Sequence, residues 1–149
     1  MEKNDKKKNV IILSSHFVNQ FIIQKIKKLQ SDLNTNIYDI ILLLNIDDGC
    51  EWNVPDDILC FTTNCESTNE LGYEPIDETL IPGSCHFPML RFYKGHPSYE
   101  FYWLLEYDVM YTGNWSTLMD ECDKNLSEYD FLSCHIEKFD ENKNKYWPW

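Results

Sequence analysis

The sequence predicts an α/β domain built on a doubly wound, mostly parallel sheet, and three observations carry that prediction. Short Ile- and Leu-rich runs at 10–13 and 38–44 match strands covered on both faces, as strands of parallel sheets are. The stretch between them is amphipathic with a helical period. A third run at 99–105 brings Phe101, Tyr102, Trp103, Leu104 and Leu105 together without a charge, and another amphipathic stretch follows it. Strands alternating with helices through right-handed crossovers close a sheet of this kind.

The first strand, 10–13, is flanked by polar residues on both sides. From Val18 the positions Phe21, Ile22, Ile26, Leu29 and Leu33 recur at steps of three and four, while Gln24, Lys25, Lys27 and Lys28 fill the opposite face. Asn34 to Asn36 ends this helix. The second strand, 38–44, stops at the turn chemistry of 45–49. A shorter third strand is expected at 58–62. The segment 64–82 carries Gly72, Pro75 and many polar residues without a period, so it reads as a loop. Loops beyond about 12–15 residues are usually lids or disordered stretches, and a mobile flap is the expectation. A short helix is expected at 87–93, with Pro88 in its first turn and 95–97 as its stop signal. The aromatic run 99–105 is read as the most buried strand, ending abruptly in Glu106-Tyr107-Asp108. Gly113 and Asn114 form a turn and an N-cap, and Trp115, Leu118, Met119, Cys122 and Leu126 mark the buried stripe of a last helix. Residues 130–133 complete the series as a further strand.

A chain of 149 residues that is 43% hydrophobic is long enough for one core, since a domain of this size buries roughly 68–70% of its unfolded surface. Residues 10–149 are read as a single α/β domain, and 1–9, with Lys3, Lys6, Lys7 and Lys8, as a disordered basic N-terminus. The net charge of -12 excludes a general nucleic-acid binder, because phosphate-backbone affinity comes from Lys and Arg. The apolar run after the basic tail is shorter than a signal core of about 7–15 residues, and nothing approaches the ~18 apolar residues of a spanning helix. The expected location is cytoplasmic, extending to the cytoplasmic face of a membrane. None of the six cysteines forms a C-x-x-C pair. In the pairs Cys85-His86 and Cys134-His135, neighbours on a strand would point to opposite faces, so free thiols rather than a zinc site are expected.

Ligands of open α/β sheets bind outside the carboxyl ends of the strands. Those ends are Ser14-Ser15-His16, then 45–48 with Asp47 and Asp48, then 62–64, and Glu106-Tyr107-Asp108. No Gly-rich phosphate loop is present, so a bound phosphate calls for a hard divalent cation. Glu106 and Asp108, spaced i, i+2, would leave a continuing strand from one face and repel each other unless a cation sat between them. The competing reading is a strand that exits into solvent. Ser14, Ser15, His16, Asp47 and Asp48 are candidate cofactor-binding residues. Ordinary turn composition competes for Asp47 and Asp48, and a solvated or capping role competes for His16.

The motifs Tyr102-Trp103-Leu104-Leu105-Glu106-Tyr107-Asp108-Val109, Tyr111-Thr112-Gly113-Asn114-Trp115 and Tyr146-Trp147-Pro148-Trp149 together resemble a bacterial and fungal group of glycosyltransferase-like proteins with a GT-A fold. The resemblance is specific from about Pro82 onward and architectural before it. It implies a Rossmann-like nucleotide-diphospho-sugar transferase fold, of which this chain supplies the nucleotide-sugar-binding half. It also implies that Glu106 and Asp108 bind Mn2+ or Mg2+ against the diphosphate of a nucleotide-sugar donor, for transfer to a glycan acceptor. GT-A domains continue into an acceptor-binding half, whereas this sequence stops at Trp149, so the catalytic base is unassigned. A catalytically incomplete nucleotide-binding or interaction module is the alternative, with an exposed sheet edge, Trp147 and Trp149 favouring a homo-oligomer. A metal-dependent phosphohydrolase fits less well, because the D-x-D-x-[TV] pattern would need Asp at Glu106 and Thr or Val at Met110.

Overall fold

The computed structural model of the chain describes residues 9–46, 51–72, 86–126, 128, 129 and 131–133. The chain divides into two compact units, 1–116 and 117–149. The first contains β1 (Asn9–Ser15), α1 (Gln20–Asp32), β2 (Tyr38–Asn45), β3 (Leu59–Thr63), α2 (Cys65–Asn69), α3 (His86–Gly95) and β4 (Phe101–Glu106). Helix α4 (Trp115–Leu126) begins at the end of the first unit and continues into the second.

The four strands are all parallel and lie in the order β3-β2-β1-β4. The chain steps outward from β1 to β2 to β3, then returns to the other side of β1 with β4. The α/β class and the parallel sheet are therefore as the sequence predicts, and the architecture is compatible with a Rossmann-like fold.

Strand alternation sorts the core into two faces. Val10, Ile12, Ile41 and Leu43 pack with Phe92 of α3, flanked by Phe61, Met89, Tyr99, Tyr102 and Leu104. The alternate positions Ile11, Leu13, Ile40, Leu42 and Leu44 are equally buried and face the other way. Leu29 of α1 meets Leu13 and Leu105 on that second side. Fully burying one Ile or Leu side chain contributes about 1.5–3 kcal/mol, so β1 and β2, buried along almost their whole length, anchor the unit.

Local chemistry sets the helix ends. Asn19, in an extended conformation, accepts the Ile22 N–H at 3.0 Å and starts α1. Asn114 accepts the Ser116 N–H at 2.8 Å and starts α4. Asn64 and Ser67 form a reciprocal capping box for α2.

Three expectations need correction. Part of the 64–82 loop is helical, because Asn64 followed three residues later by Ser67 is itself a helix-start signal; residues 73–85, where a flap was expected, lie outside the described residues. The aromatic strand β4 is not the most buried. Its residues Phe101 to Leu105 are only half-buried, since β4 has β1 on one side alone among the described residues. Its rings also carry polar tips that reach outward, as when the Tyr102 hydroxyl donates to the His96 carbonyl at 2.6 Å.

In the second unit, Met119 of α4 is buried, and Lys124 pairs with Glu121 at 2.5 Å one turn away. The strand expected at 130–133 is the third correction. Residues 131–133 are not in a strand, and Phe131 and Leu132 are 71% and 48% exposed, so pairing there would have no apolar cover. Asp130, Trp147, Trp149 and the basic N-terminus 1–8 lie outside the described residues. No helix among the described residues is long and apolar enough to cross a membrane.

Candidate functional site

The strand order reverses between β1 and β4, and open α/β sheets place their ligand crevice at such a switch point. Parallel pairing sets Ser14 directly beside Glu106, so the Ser14-Ser15-His16 and Glu106-Tyr107-Asp108 segments leave the sheet side by side. Two of the predicted segments are thus brought together. Asp47 and Asp48 lie outside the described residues. Asn45, just before them at the end of β2, carries a buried Oδ1 without a hydrogen-bond partner among the described residues.

On the β1 side, the Ser15 hydroxyl donates to the Phe17 carbonyl at 2.8 Å and accepts the Phe17 N–H at 3.3 Å. Its role is to turn the chain out of the strand, and it is buried there. Ser14 is half-buried on the α3 side of the sheet, and His16 is exposed. The His16, Phe17 and Tyr107 rings meet edge to face in a triangle, with centroids 4.9, 5.2 and 5.1 Å apart.

On the β4 side, the strand does not continue past Glu106. The Val109 N–H donates to the Glu106 carbonyl at 3.1 Å, which makes Tyr107 and Asp108 the central residues of a β-turn. The inference that Glu106 and Asp108 share a strand face therefore does not apply; the pleat sets the direction of Glu106 and the turn that of Asp108. Both carboxylates are exposed, and neither forms an ion pair or side-chain hydrogen bond with a described residue. Among the described residues no group of three or more His, Cys, Asp or Glu side chains is gathered as a metal cage.

A residue that the sequence placed on the polar face of α1 is engaged here. Lys25 Nζ donates to the carbonyls of both Tyr107 and Val109 and sits over the Phe21 ring, 5.2 Å from its centroid. Burial pushes its ammonium pKa down, and the neighbouring Asp108 carboxylate partly offsets that shift. The signal for this role was available. Lys25 lies three residues after Ile22 and four before Leu29, on the border of the buried stripe rather than opposite it.

Under the turn lies a small apolar pocket lined by Leu13, Lys25, Leu29, Leu105, Val109 and Trp115. Its volume is about 60 Å³, whereas small-molecule sites run to roughly 300–1,000 Å³. It is packing space beneath the Glu106–Val109 turn rather than a nucleotide seat.

Beyond the turn, the chain is fixed a second time to α1. The Asp32 carboxylate accepts the Trp115 N–H at 3.1 Å and pairs with Lys28 at 2.7 Å. The Lys28 hydrogen bond, then that from Trp115, holds the Asp32 carboxyl below the usual carboxylate range. Between the two attachments, the Tyr111 ring packs on Trp115 with centroids 5.0 Å apart and lies across Gly113. A methyl group on Gly113 would stand 2.5 Å from Tyr111 Oη. The Gly-x-Trp segment is thus explained by close packing.

Residues 38–128 match the family described as a protein of unknown function (DUF3405), which is more than half of the chain. The chain belongs to the DUF3405 family. The match takes in β2 to α4 and includes the Glu106-Tyr107-Asp108 turn and the Gly113-Asn114-Trp115 segment, while β1 and α1 precede it. No curated protein and no solved structure matches this DUF3405 chain.

Proposed function

We propose that this DUF3405 chain is the nucleotide-sugar-binding half of a metal-dependent glycosyltransferase of GT-A type. The observation that carries the reading is the pairing of Ser14 with Glu106 at the β1/β4 switch point. It aligns the Glu106-Tyr107-Asp108 turn with the β1 exit, in the part of an α/β sheet where nucleotides bind. Glu106 and Asp108 would hold Mn2+ or Mg2+; both offer uncommitted oxygen donors, and Mg2+ typically takes one or two carboxylates together with substrate phosphates. The bound ion would supply Lewis-acid stabilisation of the departing nucleoside diphosphate. His16, exposed at the same edge, would contact the donor, while Ser15 shapes the exit of β1.

The test is calorimetric titration with UDP- and GDP-sugars, with and without Mn2+, on the native chain and on Glu106→Ala and Asp108→Ala. Binding should require the metal and weaken by at least about tenfold in each variant. Absence of nucleotide binding, or binding indifferent to metal and to both substitutions, refutes the proposal. A second reading is a binding module without transfer activity. Turnover with polysaccharide acceptors separates the two readings.

A further inference from the structure

We propose that Lys25 is a positioning residue: from α1 it fixes the Glu106–Val109 turn in the conformation that presents Glu106 and Asp108. The inference rests on the metal-site reading above for its functional consequence. Its structural basis is independent of that reading.

A turn leaving the outer strand of a sheet has few constraints of its own. Here the backbone bond from Val109 to Glu106 closes the turn and leaves the Tyr107 and Val109 carbonyls out of it. Lys25 Nζ donates to both, from a helix 82 and 84 residues earlier in sequence. An ammonium has three donors, so one side chain can bridge two carbonyls separated by a residue. Its stem lines the apolar pocket together with Leu13, Leu29 and Leu105, and its charge sits over the Phe21 ring. On the other side of the turn, Tyr107 is held edge to face by Phe17 and His16. Asp108 therefore derives its placement from the backbone that Lys25 and Tyr107 restrain, whereas Glu106, the last residue of β4, is also held by its pairing with Ser14.

A cation beside the Asp108 carboxylate has a second effect of opposite sign. It repels a divalent ion, so simple loss of charge at Lys25 would tighten metal binding. Loss of positioning would weaken it. The sign of the change separates the two roles.

The experiment uses the full chain and two variants, Lys25→Met, which keeps the apolar stem, and Lys25→Arg, which keeps charge and donors. Amide hydrogen exchange across 107–112 should quicken by about tenfold in Lys25→Met while β1 and β2 keep their protection, and Lys25→Arg should recover most of it. Titration with Mn2+ alone, followed by the free-ion paramagnetic resonance signal, should show affinity about tenfold weaker in Lys25→Met and largely recovered in Lys25→Arg. Unchanged exchange across 107–112 in Lys25→Met overturns the inference, as does Mn2+ binding that becomes tighter. If the native chain binds no Mn2+, the metal-site reading fails, and the exchange measurement alone decides the role of Lys25.

Discussion

Replacing Gly113 by Ala tests whether the Gly-x-Trp segment exists for packing. Gly113 is not among the glycines with positive φ, so alanine is allowed there by the backbone. On backbone entropy alone, the substitution would stabilise the chain by about 0.4–1 kcal/mol. Contact with Tyr111 acts the other way. The added methyl would stand 2.5, 2.6 and 2.9 Å from Tyr111 Oη, Cζ and Cε1, against an ordinary van der Waals approach of 3.4 Å or more. The ring would have to retreat by nearly an ångström. If it stays, the overpacking costs about 1–3 kcal/mol. If it swings out, it loses its contact with the buried Trp115, worth about 0.5–1.5 kcal/mol beyond the buried area. The net expectation is destabilisation of about 1–2 kcal/mol. Urea unfolding followed by tryptophan fluorescence reads it, and the same substitution in a Tyr111→Ala background should become neutral or stabilising. A Gly113→Ala chain as stable as the native one, with Tyr111 intact, would refute the packing argument.

Two pH effects follow from the ionisable pairs. The folded pKa of Asp32 lies below its unfolded value, so its contribution is complete above about pH 4 and is lost as pH falls through the folded value; urea midpoints of Asp32→Asn should therefore decline less between pH 5 and 3 than those of the native chain. Tyr99 has the opposite sign: burial, then its 2.6 Å hydrogen bond to Asp39, raises its pKa, so its contribution is complete below about pH 10 and is lost above it. Tyr99→Phe should flatten the alkaline limb of the stability profile, and a limb as steep as the native one would count against this pair.

The fold was legible where burial dominates. Ile11, Ile12, Leu42 and Leu43 can only be core, and their runs mark β1 and β2 without ambiguity. The cap Asn114 was legible because its chemistry is local. Phe101 to Leu105 misled on burial, since hydrophobic content does not say whether a strand has one neighbour or two. Phe131 and Leu132 misled in the same way. The candidate site was legible in part. Strand ends located Ser14 and Glu106, but the i, i+2 argument assumed a strand running through Asp108, whereas β4 stops at Glu106, two residues earlier. Lys25 was read with the polar face although its spacing from Ile22 and Leu29 puts it at the border of the buried stripe, and residue identity does not show which backbone carbonyls it reaches.

Helix α1 holds the connection between β4 and α4 at two places, through Lys25 and Asp32, seven residues apart. Along a helix axis that separation is about 10.5 Å. The six residues from Val109 to Trp115 could reach ~20 Å if drawn straight. The bridge is therefore slack, and tension plays no part in its shape. What takes up the excess length is the fold of Tyr111 over Gly113. Length and composition consequently have unequal weight in this bridge: a residue added or removed leaves both anchorages within reach, whereas filling the space above Gly113 unseats the ring that organises the span.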